Sequence, residues 1–395
     1  MAVSQRRRDN TITRNRNKFG IYLSFLETCG YFYDEKLYKL KAIIMKNIFL
    51  NYKHVVAAAL LLPLFSCSGG SSDDEPEIIT DPIVSVDYFT FAKGADVSWV
   101  TQMEKEGITF KNSKGETTEC MKLLRDDCGV NSIRLRVWVN PTDGWNNAAD
   151  VMAKAVRANA LGLRLMIDFH FSDTWADPNS QTVPAAWANY TLDQLKTAVA
   201  DHVKDVLGRL KNAGITPEWV QLGNETRDGM LWELGRIKAT NSNFADLINS
   251  GYDAAKSVFP NTKIIVQVDC GDTLSLFSYV FGYLKTKGGK YDIIGMSLYP
   301  DPTSWKTSVS SLISNVKTLY NTYGKPVMLC EIGMDYRNAE ECRDCISALM
   351  TQGQATGNLL GIFYWEPEAP AGYNGGYNKG CFNNSTPTVA LDAFK

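Results

Sequence analysis

Eight times between residues 87 and 395, a short apolar run gives way to a longer stretch with helical spacing. The runs are 89–96, 132–138, 163–170, 219–223, 264–269, 293–298, 326–331 and 361–365. Helical patterns intervene around Met121, over 148–161 and over 191–213. Apolar runs separated by helix-length segments read as parallel strands joined by helices. Eight such units in about 305 residues fit one closed (β/α)8 TIM barrel, an α/β fold. A doubly wound sheet is the alternative, but it wants a Gly-rich phosphate turn after its first strand. Here the first run ends in Asp96-Val97-Ser98-Trp99. No repeat and no break in composition divides 87–395, so it reads as a single domain.

The strand ends carry the chemistry. In a TIM barrel the C-terminal ends of the strands form the active face. Asp96, Arg134, Arg136, Trp138, His170, Asp173, Trp175, Asn224, Glu225, Asp269, Tyr299, Glu331 and Trp365 all fall at such ends. Core packing alone gives no reason for polar and aromatic residues at one end of so many strands. Asn224-Glu225 follows the fourth strand and Glu331 ends the seventh. In a closed barrel these positions face each other across the mouth. Two carboxyl groups flanking one bond are what glycoside hydrolysis needs: one protonates the leaving oxygen, and the other attacks the anomeric carbon or activates water.

Four segments are more specific: Asn131-Ser-Ile-Arg-Leu-Arg-Val-Trp-Val-Asn-Pro141, Asp168-Phe-His-Phe-Ser-Asp-Thr-Trp-Ala-Asp-Pro178, Gly223-Asn-Glu-Thr-Arg-Asp-Gly-Met-Leu-Trp232 and Phe363-Tyr-Trp-Glu-Pro367. With these the chain resembles glycoside hydrolase family 53, the arabinogalactan endo-β-1,4-galactanases. The resemblance spans 87–395. It implies a retaining glycosidase acting on galactan or type I arabinogalactan of pectin side chains, with Glu225 as acid/base and Glu331 as nucleophile. It also implies carboxyl groups about 5–5.5 Å apart.

These roles demand different surroundings. Glu225 must hold a proton near neutral pH, away from cations or beside a negative charge. Glu331 must stay ionised, with Arg134 as its cation and the Tyr299 hydroxyl as a donor. Asn224 is expected to bond the sugar 2-hydroxyl. His170 reads as an active-site hydrogen bonder, and His202 as a surface residue. Trp175, Trp232, Trp365 and Tyr299 are candidate stacking surfaces for pyranose rings, whereas Trp99 and Trp219 read as core. Asp96, Asp173 and Asp269 either bond sugar hydroxyls or cap loops.

The chemistry requires no cofactor, and no metal ligand set stands out. Some bacterial relatives hold calcium in the loops after strands seven and eight. Here the segment after Glu331 reaches the next helix within about eight residues, which argues against such a site. Some fungal relatives bridge the same loops, which by resemblance pairs Cys381 with Cys342 or Cys345. Cys120 and Cys128 lie eight apart in a helix, about 12 Å, too far to bridge.

The leader is chemically distinct. Residues 1–66 hold eleven Lys and Arg against four Asp and Glu. The remainder therefore carries 30 basic and 39 acidic residues, a net charge of −9. That excess argues against nucleic acid or another anionic polymer as ligand. Residues 1–44 read as an over-extended start. Residues 45–66 read as a signal peptide: Lys46 and Lys53 precede an 11-residue apolar run, 55–65, too short to span a membrane. Leu64-Phe65-Ser66-Cys67 resembles a lipobox, with Cys67 acylated. The Ser, Gly and acidic residues of 67–86 make a flexible tether. The expectation is an outer-membrane lipoprotein facing the cell exterior, acting as a monomer on its polysaccharide; a periplasm-facing or secreted form is the alternative. Two other functions compete: a polysaccharidase of the same clan cutting mannan, xylan or β-glucan, and a surface lipoprotein that binds glycan without cutting it.

Overall fold

The computed structural model describes residues 90–395. The expected signal segment, Cys67 and the tether lie outside the described residues. Eight parallel strands close into a barrel: β1 (Ala92–Asp96), β2 (Ser132–Val137), β3 (Arg164–Phe169), β4 (Trp219–Leu222), β5 (Lys263–Val268), β6 (Ile293–Leu298), β7 (Val327–Ile332) and β8 (Leu359–Trp365). β1 pairs with both β2 and β8, which completes the ring. The helices around it are α1 (Val100–Lys105), α2 (Cys120–Cys128), α3 (Ala148–Ala160), α4 (Leu192–Asn212), α5 (Asn243–Val258), α6 (Leu274–Lys287), α7 (Trp305–Tyr323) and α8 (Ala339–Thr356).

The strand sequences explain the closure. Parallel strands bury both faces, so they carry apolar residues almost throughout. The outward set, including Ile133, Leu135, Val220, Val266 and Ile294, joins the core shared with the helices. The inward set at the barrel floor is a separate cluster of Ala92, Met166, Trp219, Ile265, Ile293, Met328, Cys330 and Phe363. Gly94 makes room for Phe363: a Cβ there would stand 2.1 Å from the ring.

The period-two alternation turns polar above that floor. Two residues beyond Met166 comes Asp168, beyond Trp219 comes Gln221, and beyond Ile265 comes Gln267, all fully buried. Arg134 and Arg136 of β2 occupy the same inward phase and are also fully buried. The barrel interior is thus apolar at the bottom and charged at the top.

Helix ends follow sequence signals. Asn147 accepts from the Ala149 and Asp150 amides at the start of α3. Thr191 and Gln194 form a capping box on α4.

Three expectations are corrected. β4 and β7 are three strands apart around the ring, with β5 and β6 between them, rather than diametrically opposed. His202 is not a surface residue. It packs edge-on against Phe169, Phe171 and Trp187, and burial lowers its pKa to about 4. The seven described cysteines are all free thiols, so neither loop bridge is present. The Cys342 thiol, rather than that of Cys345, meets Cys381, and both contact the Tyr364 hydroxyl.

Candidate active site

The backbone aims the two candidate carboxyls by two different irregularities. Glu225 lies just past β4, in a turn that starts at Gly223 (φ 80°), and itself takes φ 48°. A non-glycine residue in this left-handed region costs about 1–2 kcal/mol, and such strain gathers at functional sites. The turn is held by its neighbours: the Thr226 amide and hydroxyl both donate to the Gln267 carbonyl at 3.0 Å. Glu331 depends on a β-bulge. β6 and β7 pair Met296 with Leu329, but the next pair is Ser297 with Glu331. Cys330 is the extra residue. It follows Met328 into the barrel, and the bulge brings Glu331 to the inner face as well. Gly295 leaves the space, since a Cβ there would lie 3.0 Å from the Cys330 sulfur.

Glu331 is buried and doubly held. Its Oε1 lies 2.9 Å from Arg134 Nη2, and its Oε2 accepts from the Tyr299 hydroxyl at 2.8 Å. Tyr299 is 38% exposed as a residue while its hydroxyl points inward to Glu331. Glu225 has no cation of its own. The Ser297 hydroxyl bonds its carboxyl, and Gln267 links Ser297 to the Glu225 amide. Burial, then the neighbouring Glu331 charge, pushes Glu225 up to about 8. Burial also raises Glu331, but Arg134 and Tyr299 oppose it. A proton shared by the pair therefore rests on Glu225.

Arg134 is the hub. Its guanidinium reaches Asp96 at 2.7 Å, Asp168 at 2.8 Å and Asn224 at 3.0 Å as well as Glu331. Asp96 is fully used, since its other oxygen accepts from the Ser98 amide and hydroxyl. Asn224 spends one amide N–H on the Ala176 carbonyl. His170 accepts at Nδ1 from Trp138 Nε1 and the Ala176 amide, so its hydrogen is on Nε2, 3.0 Å from Asp168. Both of its ring nitrogens are thus engaged within the protein.

Two candidate aspartates have other work. Asp173 accepts from the Asn140 and Ala185 amides, one per oxygen, so it staples two loop segments. Asp269 is ion-paired with Arg227. Of the two readings given them, Asp173 caps loops, and Asp269 is held by an arginine.

The aromatic wall is larger than sequence alone suggests. Trp365 and Trp175 are half-buried with centroids 5.8 Å apart, and Trp99 touches both at 5.1 and 5.8 Å. Tyr377 closes on Trp365 at 4.9 Å. Trp232 stands apart on the loop after β4, its ring under Arg236 at 3.9 Å. Behind the wall, Arg136 sits among Trp99, Trp138 and Trp175 and pairs with Glu366. Burial brings Glu366 up to about 7 against the pull of Arg136, and raises the adjacent Glu368 well above the usual carboxyl range.

The residues missed are Asp168, Gln221, Gln267 and Ser297 inside the barrel, and Glu366 and Glu368 beyond it. For the four inside the barrel the signal was present: each keeps inward phase on its strand. Ser297 is paired with Glu331 only through the bulge, and nothing local announces that.

The segment after Glu331 offers a single carboxylate. That group, Asp335, is occupied by the Arg337 side chain and amide. Among the described residues, no three His, Cys, Asp or Glu side chains converge as metal ligands.

A closed barrel with paired carboxyls after β4 and in β7, beside an aromatic wall, defines the class of two-carboxylate glycoside hydrolase barrels. Comparison with known proteins narrows it. The family model for glycosyl hydrolase family 53 matches residues 92–388. A probable arabinogalactan endo-β-1,4-galactanase A of Aspergillus fumigatus is 33% identical over 304 residues, 70% of this chain and 83% of that protein. An endo-β-1,4-galactanase of Bacillus subtilis is 30% identical over 358 residues, 80% of this chain and 81% of that protein. A solved fungal β-1,4-galactanase superposes with a TM-score of 0.70 at 30% identity, covering 76% of this chain and 98% of its own. The family 53 catalytic domain of Ignisphaera aggregans superposes equally, 0.70 at 26% identity, covering 81% and 99%. The chain belongs to glycosyl hydrolase family 53.

Proposed function

We propose that this protein is an endo-acting, retaining β-1,4-galactanase that cuts galactan or the galactan of type I arabinogalactan. The observation that carries the roles is the unequal setting of two neighbouring carboxyls. Glu331 has a cation and a hydroxyl donor, so it is the nucleophile. Glu225 has no cation paired to it and, half-buried beside the Glu331 charge, keeps its proton to about 8, so it is the acid/base.

In the first step the Glu225 proton passes to the glycosidic oxygen as Glu331 attacks the anomeric carbon. The leaving chain departs with its new hydroxyl, and a galactosyl ester forms on Glu331. In the second step Glu225, now ionised, takes a proton from water. The water oxygen displaces Glu331 and restores the β-configuration. The second Asn224 N–H is the donor for the sugar 2-hydroxyl, and Trp365 and Trp175 offer apolar faces to the rings. Substrate class rests on the relatives named above. The acidic barrel suits a neutral polymer.

Competing polymers provide the test. The full chain is expected to release oligosaccharides from linear β-1,4-galactan at least about a hundredfold faster than from mannan, xylan or β-glucan, assayed as reducing ends. Equal or greater release from one of those polymers overturns the substrate assignment. Affinity for galactan with no release supports the binding-only reading instead. We further propose that the barrel is tethered through acylated Cys67 to the outer membrane and faces outward. Release of the protein from membranes on Cys67→Ser is the expected result.

A further inference from the structure

Arg134 Nη2 carries two hydrogens but faces four acceptors. These are Asp168 Oδ2 at 2.8 Å, Glu331 Oε1 at 2.9 Å, Asn224 Oδ1 at 3.0 Å and Gln221 Oε1 at 3.1 Å. The nitrogen is over-subscribed, and the two charged acceptors compete most strongly for it. We propose that Asp168 is a positioning residue for the reaction: by competing with Glu331 for Arg134, it keeps the cation from quenching the nucleophile. The inference rests on Glu331 being that nucleophile.

The titratable groups around Glu331 come from the ends of five strands, β1 to β4 and β6. Asp96 lies on β1, Arg134 on β2, Asp168 on β3, Glu225 after β4 and Tyr299 after β6. β5 contributes the uncharged Gln267, and β7 itself the buried Cys330 thiol. One permanent cation thus stands among four carboxyls. Of the carboxylates that flank Arg134 besides Glu331, Asp96 has both oxygens committed, so its replacement would break bonds. Asp168 differs. Its Oδ2 accepts from both Arg134 and His170 Nε2, while its fully buried Oδ1 has no partner. An asparagine can place its carbonyl at Oδ2 and its NH2 at Oδ1. Every bond is then kept and only the charge is lost.

The sign follows. Without the Asp168 charge, Arg134 binds Glu331 more tightly, and Glu331 ionises at lower pH and attacks less readily. In Asp168→Asn the acid limb of kcat/KM on a galacto-oligosaccharide is expected to move down by about one pH unit. The alkaline limb, set by Glu225, stays in place, and kcat falls about tenfold for the weaker nucleophile. Asp168→Ser, which also removes the charge, moves the acid limb the same way. An acid limb that stays put or moves up in a folded, active variant overturns the inference. Full activity in Glu331→Gln would instead refute the reading of the site on which it rests.

Discussion

Glu331→Gln is expected to lower galactan hydrolysis by at least about 10^4-fold while the barrel stays folded. Glutamine has the same shape and keeps an oxygen for Arg134, but it cannot form the galactosyl ester. The fold has little reason to suffer, because Arg134 retains Asp96 and Asp168 as counter-charges. Binding should also survive, since Trp365, Trp175 and Asn224 are untouched. Titration of tryptophan fluorescence with a galacto-oligosaccharide checks that, and a thermal melt checks the fold. Turnover within tenfold of wild type would remove Glu331 from the chemistry.

Glu225→Gln should lose about 10^2–10^4 in kcat, the range for a positioned general acid. The loss should be far smaller for an aryl galactoside whose leaving group needs no proton. In Glu225→Ala, added azide should restore turnover and yield β-galactosyl azide, because the small anion takes the place of the activated water. Stability gives an independent sign. Glu225 holds its proton to about 8 in the fold, whereas a free Glu titrates near ~4.3. Between these values the folded state keeps a proton that the unfolded chain has released. Wild-type stability therefore falls as pH rises through that window. The glutamine in Glu225→Gln has no proton to lose, so the variant should match wild type below about pH 4 and be more stable than it above about pH 8. Melting curves at the two extremes read this directly. A variant that is less stable at high pH would contradict the buried, proton-holding environment.

Much of the fold was legible in the sequence because both faces of each strand are buried. Strands such as 164–169 and 293–298 stand out as mainly apolar runs, interrupted at Arg164, Asp168 and Ser297, between helical segments. The hub and the pair were legible for a related reason: Arg134, Glu225 and Glu331 are charges placed where a barrel needs apolar residues or a working site. The rest depended on register and loop closure. The bulge at Cys330 decides that Glu331 faces inward, and it arises from pairing with β6 rather than from any local pattern. Asp173 reads from sequence as either a sugar ligand or a loop cap, and only the fold brings two loop amides onto its oxygens. His202 looks exposed on a long amphipathic helix until Phe171 and Trp187, from the preceding loop, cover it. Glu366 and Glu368 are concealed by their setting, since carboxyls next to a proline usually mean a solvated turn. Here Arg136 and the aromatic wall enclose them.

Proton NMR of linear β-1,4-galactan during the first minutes of digestion tests the two-step chemistry most directly. Net retention requires each new reducing end to appear first as the β-anomer, on chains of intermediate length, with the α-anomer growing only by later mutarotation. New ends that appear first as the α-anomer would mean a single inverting displacement, and the assignment of Glu331 as a covalent nucleophile would fall.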